Sequence, residues 1–232
     1  MPSDSRSVEP PLKVAWISDF PIEWRDDLPA ELRHLPRQPA ATWAAGLLEE
    51  LRKDSALQIH VLVLRSRIAR DVSFERDGVW FHVLRASGPM RVLSAFWLDA
   101  LVLRRKLREI RPDLVHAWGM ERGAILTGNR LPFPCLGTVQ GLFEWYCRVV
   151  PYANRYQRFL ARLEPCALKR ARSLSGESSF VINYLRQRCP NALLHHADYS
   201  PQSVFWEVRR QPPLNRPRLI SVGSIGYGKG TD

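Results

Sequence analysis

The sequence predicts an α/β chain built on a doubly wound, mainly parallel sheet. Two observations carry this. Short apolar runs alternate along the chain with segments whose apolar residues recur at helical spacing. The runs are also continuous, as in residues 58–64 with Ile59, Val61, Leu62, Val63 and Leu64, which fits strands covered on both faces.

Residues 1–11 are polar and proline-rich, and are expected to form a disordered tail, not a signal peptide. Residues 14–18 give the first strand. Pro21, Pro29, Pro36 and Pro39 then exclude regular structure from 19–39, a long loop after a strand and so a candidate functional loop. Thr42 is placed to cap a helix carrying Trp43, Leu47, Leu48 and Leu51. Strands follow at 58–64 and, after the Asp77-Gly78 turn, at 79–84. Residues 92–110 predict one helix, with Arg104, Arg105, Lys106 and Arg108 favouring its C-terminal end.

Further on, 111–118 stops that helix and starts a strand, 119–129 is a short helix and 135–139 another strand. A long helix is predicted over 152–172, interrupted at Pro165, then a strand–helix–strand unit from Leu174 to His195. The prolines of 212–217 make a stiff linker to a last apolar strand at 218–222. The main domain is therefore expected over 12–211, and 218–232 opens a second, incomplete domain. Ligands of such sheets sit beyond the carboxyl ends of the strands, so the loops after Ser18, His116 and Val139 should gather at one edge.

With 45% hydrophobic and 25% charged residues, the 232-residue chain is composed like ordinary globular protein. The longest apolar stretch, 92–103, is too short to span a bilayer and contains Asp99. A cytoplasmic location is expected, with peripheral contact at the inner membrane face as the sharper alternative. Cys135, Cys147, Cys166 and Cys189 form no CxxC pair, so free buried thiols are expected, with no metal site. The net charge of +11 fits nucleic acid, an anionic membrane or an anionic substrate equally well. A basic nucleic-acid-binding module is the rival reading of this charge, but no recognition motif of that class is present, and no nucleic-acid partner is expected.

The final segment combines an apolar strand with Gly223, Gly226, Gly228, Lys229 and Gly230. Gly223, four residues, Gly228 and Lys229 approach a Walker A loop, but Gly230 stands where a Ser or Thr should hold magnesium. Four stretches together resemble the N-terminal half of GT-B-fold retaining glycosyltransferases of family 4, whose domains are Rossmann-like. They are Lys13-Val-Ala-Trp-Ile-Ser-Asp19, Arg111-Pro-Asp-Leu-Val-His116, the unit from Ser175-Gly-Glu-Ser178 to near Phe205, and the strand and glycine loop of 218–230.

The resemblance implies transfer of a sugar from a nucleotide-diphosphate donor to a glycan, lipid or small-molecule acceptor, without a further cofactor. It implies that Lys229 and Gly223 meet the donor diphosphate, and that His116 faces the cleft and orients acceptor or sugar. Asp19, Trp24 and Gln140 are expected at the acceptor cleft. The pattern departs from the family at Ser224, Trp118, Gln140 and Pro39-Ala40-Ala41, where the family favours an arginine, a histidine, a histidine and paired glycines. The family's paired donor-side glutamates fall in the C-terminal domain, so a gene fragment or a non-catalytic binding remnant is expected, without sugar turnover by itself.

Two surface readings complete the set. Arg155, Arg158, Arg162 and Lys169 fall within about 60° on a helical wheel, beside an apolar face of Tyr152, Phe159, Leu163 and Cys166. That stripe is either a solvated face or a contact for anionic membrane. Trp24, Trp43, Trp145 and Tyr146 are placed in or beside loops at the cleft edge, where aromatic rings stack on sugars. His195 and His196 are adjacent on a strand, point oppositely, and are read as structural.

Overall fold

A computed structural model describes residues 10–37, 42–199, 207 and 209. Gly223, Lys229, the Pro39-Ala40-Ala41 stretch, the Thr42 side chain, the linker at 212–217 and the segment 218–232 lie outside the described residues, as do residues 1–9 of the expected tail.

The elements in chain order are β1 (Leu12–Ile17), α1 (Thr42–Leu51), β2 (Leu57–Arg65), β3 (Val72–Arg76), β4 (Val79–Arg85), α2 (Gly88–Leu93) and α3 (Trp97–Ile110). Then come β5 (Leu114–Trp118), α4 (Ala124–Gly128), β6 (Cys135–Val139), α5 (Phe143–Val149), α6 (Arg155–Arg170), β7 (Ser173–Gly176), α7 (Ser179–Arg188) and β8 (Leu193–His196). The strands form one sheet in the order β3-β4-β2-β1-β5-β6-β7-β8. Every pair is parallel except β3–β4, an antiparallel hairpin at the edge. The order reverses direction between β1 and β5, where β1 pairs with both β2 and β5. Among the described residues, no helix is long and apolar enough to cross a membrane.

Strand side chains alternate between faces, and the core divides accordingly. Ala15 and Ile17 of β1, Leu62 of β2 and Val115 and Ala117 of β5 pack with Leu103 and Leu107 of α3, Ile125 of α4 and Leu160 of α6. Trp16, Ile59, Val61, Val63 and Phe81 turn to the other face, under Leu48 of α1 and Ile22 and Leu32 of the loop after β1. That loop is not featureless: two 3-10 turns, Ile22–Trp24 and Ala30–Leu32, bury those two side chains.

The structure corrects several expected elements. The helix expected over 92–110 is broken, because Ala95 and Phe96 adopt left-handed backbone between α2 and α3. The break drives Phe96 into the core, 1% exposed and tight against Gly123, where a Cβ would meet its ring at 2.4 Å. Burying that ring, worth about 1.5–3 kcal/mol, offsets much of a left-handed cost of about 1–2 kcal/mol per residue.

The helix expected over 119–129 shortens to α4, since Gly119 and Gly123 both have positive φ. The helix expected from Tyr152 begins at Arg155, behind a capping box made by Asn154 and Gln157, and continues through Pro165. Tyr152 lies outside the helix and 81% exposed, and Cys166 is exposed, so neither belongs to a buried face or a buried thiol set. The basic stripe of Arg155, Arg158, Arg162 and Lys169 is on the exposed side as expected.

Strand β3 and helix α5 were not anticipated. Helix α5 carries Trp145 and Tyr146, which are therefore helical and not in loops. The α5 amides of Phe143 and Glu144 donate to the Glu164 carboxylate of α6, at 2.5 and 3.5 Å.

Candidate functional site

The carboxyl ends of β1, β5, β6 and β7 converge on a cleft of about 390 Å3 beside the point where strand order reverses. Strand β1 runs into Ser18 and Asp19, β5 into Trp118, Glu121 and Arg122, β6 into Gln140, and β7 into Glu177. Trp43 and Ala44 of α1 and Tyr199, just after β8, close the remaining wall. The three loops expected at one edge are thus found there.

One wall is aromatic. Trp43 lies 4.7 Å from Trp118 and 5.3 Å from Tyr199 between ring centroids, the latter pair stacked with nearly parallel planes, 8° apart. Such a surface offers flat apolar faces beside polar atoms, the combination that suits a sugar ring.

The facing wall is polar. Glu121 folds back over Gly119, whose φ of +77° and lack of a side chain permit the approach: a Cβ there would stand 2.0 Å from Glu121 Oε2. A Cβ on Gly141 would stand 2.9 Å from Oε1, so two glycines cradle one carboxylate. Burial raises the pKa of Glu121, and the nearby charges of Glu177 and Asp19 push the same way. Tyr199 accepts a hydrogen bond from Gln140 Nε2 at 2.9 Å, and its hydroxyl pKa is raised by burial and by a hydrogen bond with Glu177. Asp19 joins two arginines, Arg65 at 3.0 Å and Arg122 at 3.2 Å. Ser18 Oγ, Trp118 Nε1 and Glu177 Oε2 are buried without a hydrogen-bond partner among the described residues.

Of the residues read from the sequence, Asp19 and Gln140 line this cleft, and Trp43 does too. His116 and Trp24 are not in its lining. His116 packs against Trp118, ring centroids 4.5 Å apart and planes tilted by 34°, and stacks on Trp16 at 6.3 Å. Its Nε2 lies 2.7 Å from Thr138 Oγ1, which lies 2.6 Å from Ser175 Oγ. Burial lowers its pKa to about 4, so the ring is neutral at pH 7. Trp24 is 49% exposed on the first 3-10 turn, with the Arg37 guanidinium 5.3 Å from its ring. Sequence reasoning missed Glu121, Arg122, Glu177 and Tyr199 as site residues. The available signal was the glycine at each of two successive strand ends, Gly119 and Gly141.

Residues 40–196 match the model of the family described as Glycosyltransferase Family 4. A solved sucrose-phosphate synthase from Thermosynechococcus elongatus is similar with a TM-score of 0.55 at 12% identity, over 81% of this chain and 48% of that one. Another structure of a sucrose-phosphate synthase from the same organism gives a TM-score of 0.50 at 10% identity, over 80% of this chain and 88% of that chain. The chain thus spans about half the length of the first of these, 48%, and identities this low show a shared fold. No curated protein matches the sequence.

Proposed function

The chain belongs to glycosyltransferase family 4, and from that premise we propose that it forms the acceptor-side half of a sugar-transferring enzyme. The donor is a nucleotide-diphosphate sugar, and transfer proceeds with retention. The reading rests on one observation above others: at the switch point of the sheet, an aromatic wall of Trp43, Trp118 and Tyr199 faces Asp19, Glu121, Gln140 and Glu177. Stacking faces opposite hydrogen-bond acceptors are what a polyhydroxylated acceptor needs.

In this reading the acceptor ring packs against the exposed edge of the Trp43, Trp118 and Tyr199 cluster. Glu121, raised in pKa and backed by two glycines, takes a hydrogen bond from the attacking hydroxyl and fixes its direction. Glu177 and Gln140 hold neighbouring hydroxyls. His116 acts through Trp118 as a positioning residue, held by Thr138. Gly223 and Lys229 meet the donor diphosphate, where a cation stabilises the leaving group.

The test is a transfer assay on the natural polypeptide carrying this sequence, with labelled nucleotide-diphosphate sugars and a panel of acceptors. Transfer with retained anomeric configuration is expected. Glu121→Gln is expected to lower kcat/KM about tenfold or more, the worth of one charge-assisted hydrogen bond of about 1.5–3 kcal/mol. A folded protein that transfers no sugar to any acceptor refutes the reading, as does Glu121→Gln with unchanged kinetics.

A further inference from the structure

A second cavity, of about 520 Å3, adjoins the cleft and shares Asp19 and Arg122 with it. Its lining brings together four guanidinium groups from separate parts of the chain. Arg65 ends β2, Arg67 follows it, Arg91 lies on α2 and Arg122 follows β5. Three carboxylates hold three of these groups. Arg65 pairs with Glu23 and with Asp19, Arg91 with Asp99 at 2.8 Å, and Arg122 with Asp19. Glu23 and Asp99 are each 1% exposed and do not line the cavity, so they anchor the arginines from behind. Arg67 is exposed and has no carboxylate partner among the described residues. Four cations against three anions leave the cavity net positive, with guanidinium forks preset by buried partners. Ser66 and Tyr156 add hydroxyls to the lining.

We propose that this cavity binds the phosphate group of a phosphorylated acceptor whose hydroxylated part lies in the adjoining cleft. Guanidinium forks match phosphate oxygens two at a time, which an ammonium cannot do. Arg65 spends its five N–H groups on Glu23, Asp19 and the Leu64 and Phe20 carbonyls, so it adds charge to the wall while Arg67, Arg91 and Arg122 face the phosphate; a neutral acceptor gives these three no counterpart, and a cation is repelled. The phosphate has two chemical sources, a soluble sugar phosphate or a lipid head group. The second is open because Leu93 and Trp97, beside the lining residues Val92 and Phe96, are 78% and 54% exposed. This inference rests on the acceptor-side reading and narrows its substrate class.

The test measures binding of glucose 6-phosphate, glucose, and vesicles containing phosphatidylglycerol to the whole chain. Glucose 6-phosphate is expected to bind at least tenfold tighter than glucose. Arg67→Gln, at an exposed position that leaves the core intact, is expected to weaken it about tenfold, with Arg67→Lys intermediate. Vesicle binding that Arg67→Gln abolishes, without glucose 6-phosphate binding, supports the proposal with a lipid as the source. Binding in neither arm, or binding indifferent to both Arg67 variants, overturns it. Transfer to neutral acceptors combined with that result overturns this inference alone. Arginine-dependent phosphate binding in a chain without transfer activity upholds it while refuting the enzymatic reading.

Discussion

Substitution of Gly119 by alanine separates backbone strain from site geometry, because the fold supplies its own control. Gly119 and Gly78 have nearly the same φ, +77° and +76°. Alanine at either position carries the left-handed penalty of about 1–2 kcal/mol. For a chain of this size that is a fall in Tm of about 2–8 °C. At Gly78, in the β3–β4 turn, nothing lies within 4 Å of the new Cβ. At Gly119 the Cβ meets Glu121 Oε2 at 2.0 Å and Gln140 Oε1 at 2.8 Å. Both are the ends of flexible side chains, so the fold survives and the carboxylate moves. A displacement of that size forfeits the hydrogen bond from the acceptor, about 1.5–3 kcal/mol, or roughly tenfold to a hundredfold in Kd. Differential scanning calorimetry and sugar-binding calorimetry on both variants make the comparison. The expected result is similar stability loss in both and lost binding only in Gly119→Ala. If Gly119→Ala binds acceptor as well as Gly78→Ala does, the carboxylate does not act from its place over residue 119.

Two further outcomes concern pH. Burial lowers the pKa of His60, His82 and His116 to about 4, so the fold holds them neutral while the unfolded chain protonates near 6.5. The unfolded state then binds more protons, and stability is lost as pH falls from 6.5 towards 4. Urea midpoints measured from pH 7 to pH 4 check this, and flat midpoints refute it. Glu164 has the opposite sign: burial raises its pKa to about 7, so it costs stability as pH rises from 4.5 to 7, on the order of 3 kcal/mol. Glu164→Gln removes the charge and keeps an acceptor for the Phe143 amide, so subtracting its urea profile from that of the parent should isolate the Glu164 slope. Glu164→Leu leaves that amide unpaired and is expected to be about 1–3 kcal/mol less stable than Glu164→Gln at every pH.

Much of the fold was legible in the sequence, because parallel strands buried on both faces must be continuously apolar. Residues 61–64 show it, inside β2. The location of the cleft followed from the same pattern, since strand carboxyl ends at a reversal of order share one edge. Strand β3 escaped because an edge strand turns only part of its surface to the core, and Phe74 is its one buried residue. The break before α3 and the start of α5 escaped for another reason. Each is set by a residue distant in sequence: Gly123 makes room for Phe96, and Glu164 accepts the amides that open α5.

The family resemblance was likewise carried by local stretches, and Asp19 and Gln140, each directly after an expected strand, both line the cleft. The chemistry of the cleft was decided in three dimensions. Glu121, Glu177 and Tyr199 come from three different loops, and none stands in a sequence pattern that marks it as a partner of the others. His116 shows the same limit from the other side. The sequence places it on the central strand, but only strand alternation and the packing of Trp16, Trp118 and Thr138 settle where its ring goes. Local hydrophobic period writes elements into a sequence. Contacts between residues dozens of positions apart depend on the whole chain's packing, and there the tertiary structure alone decides.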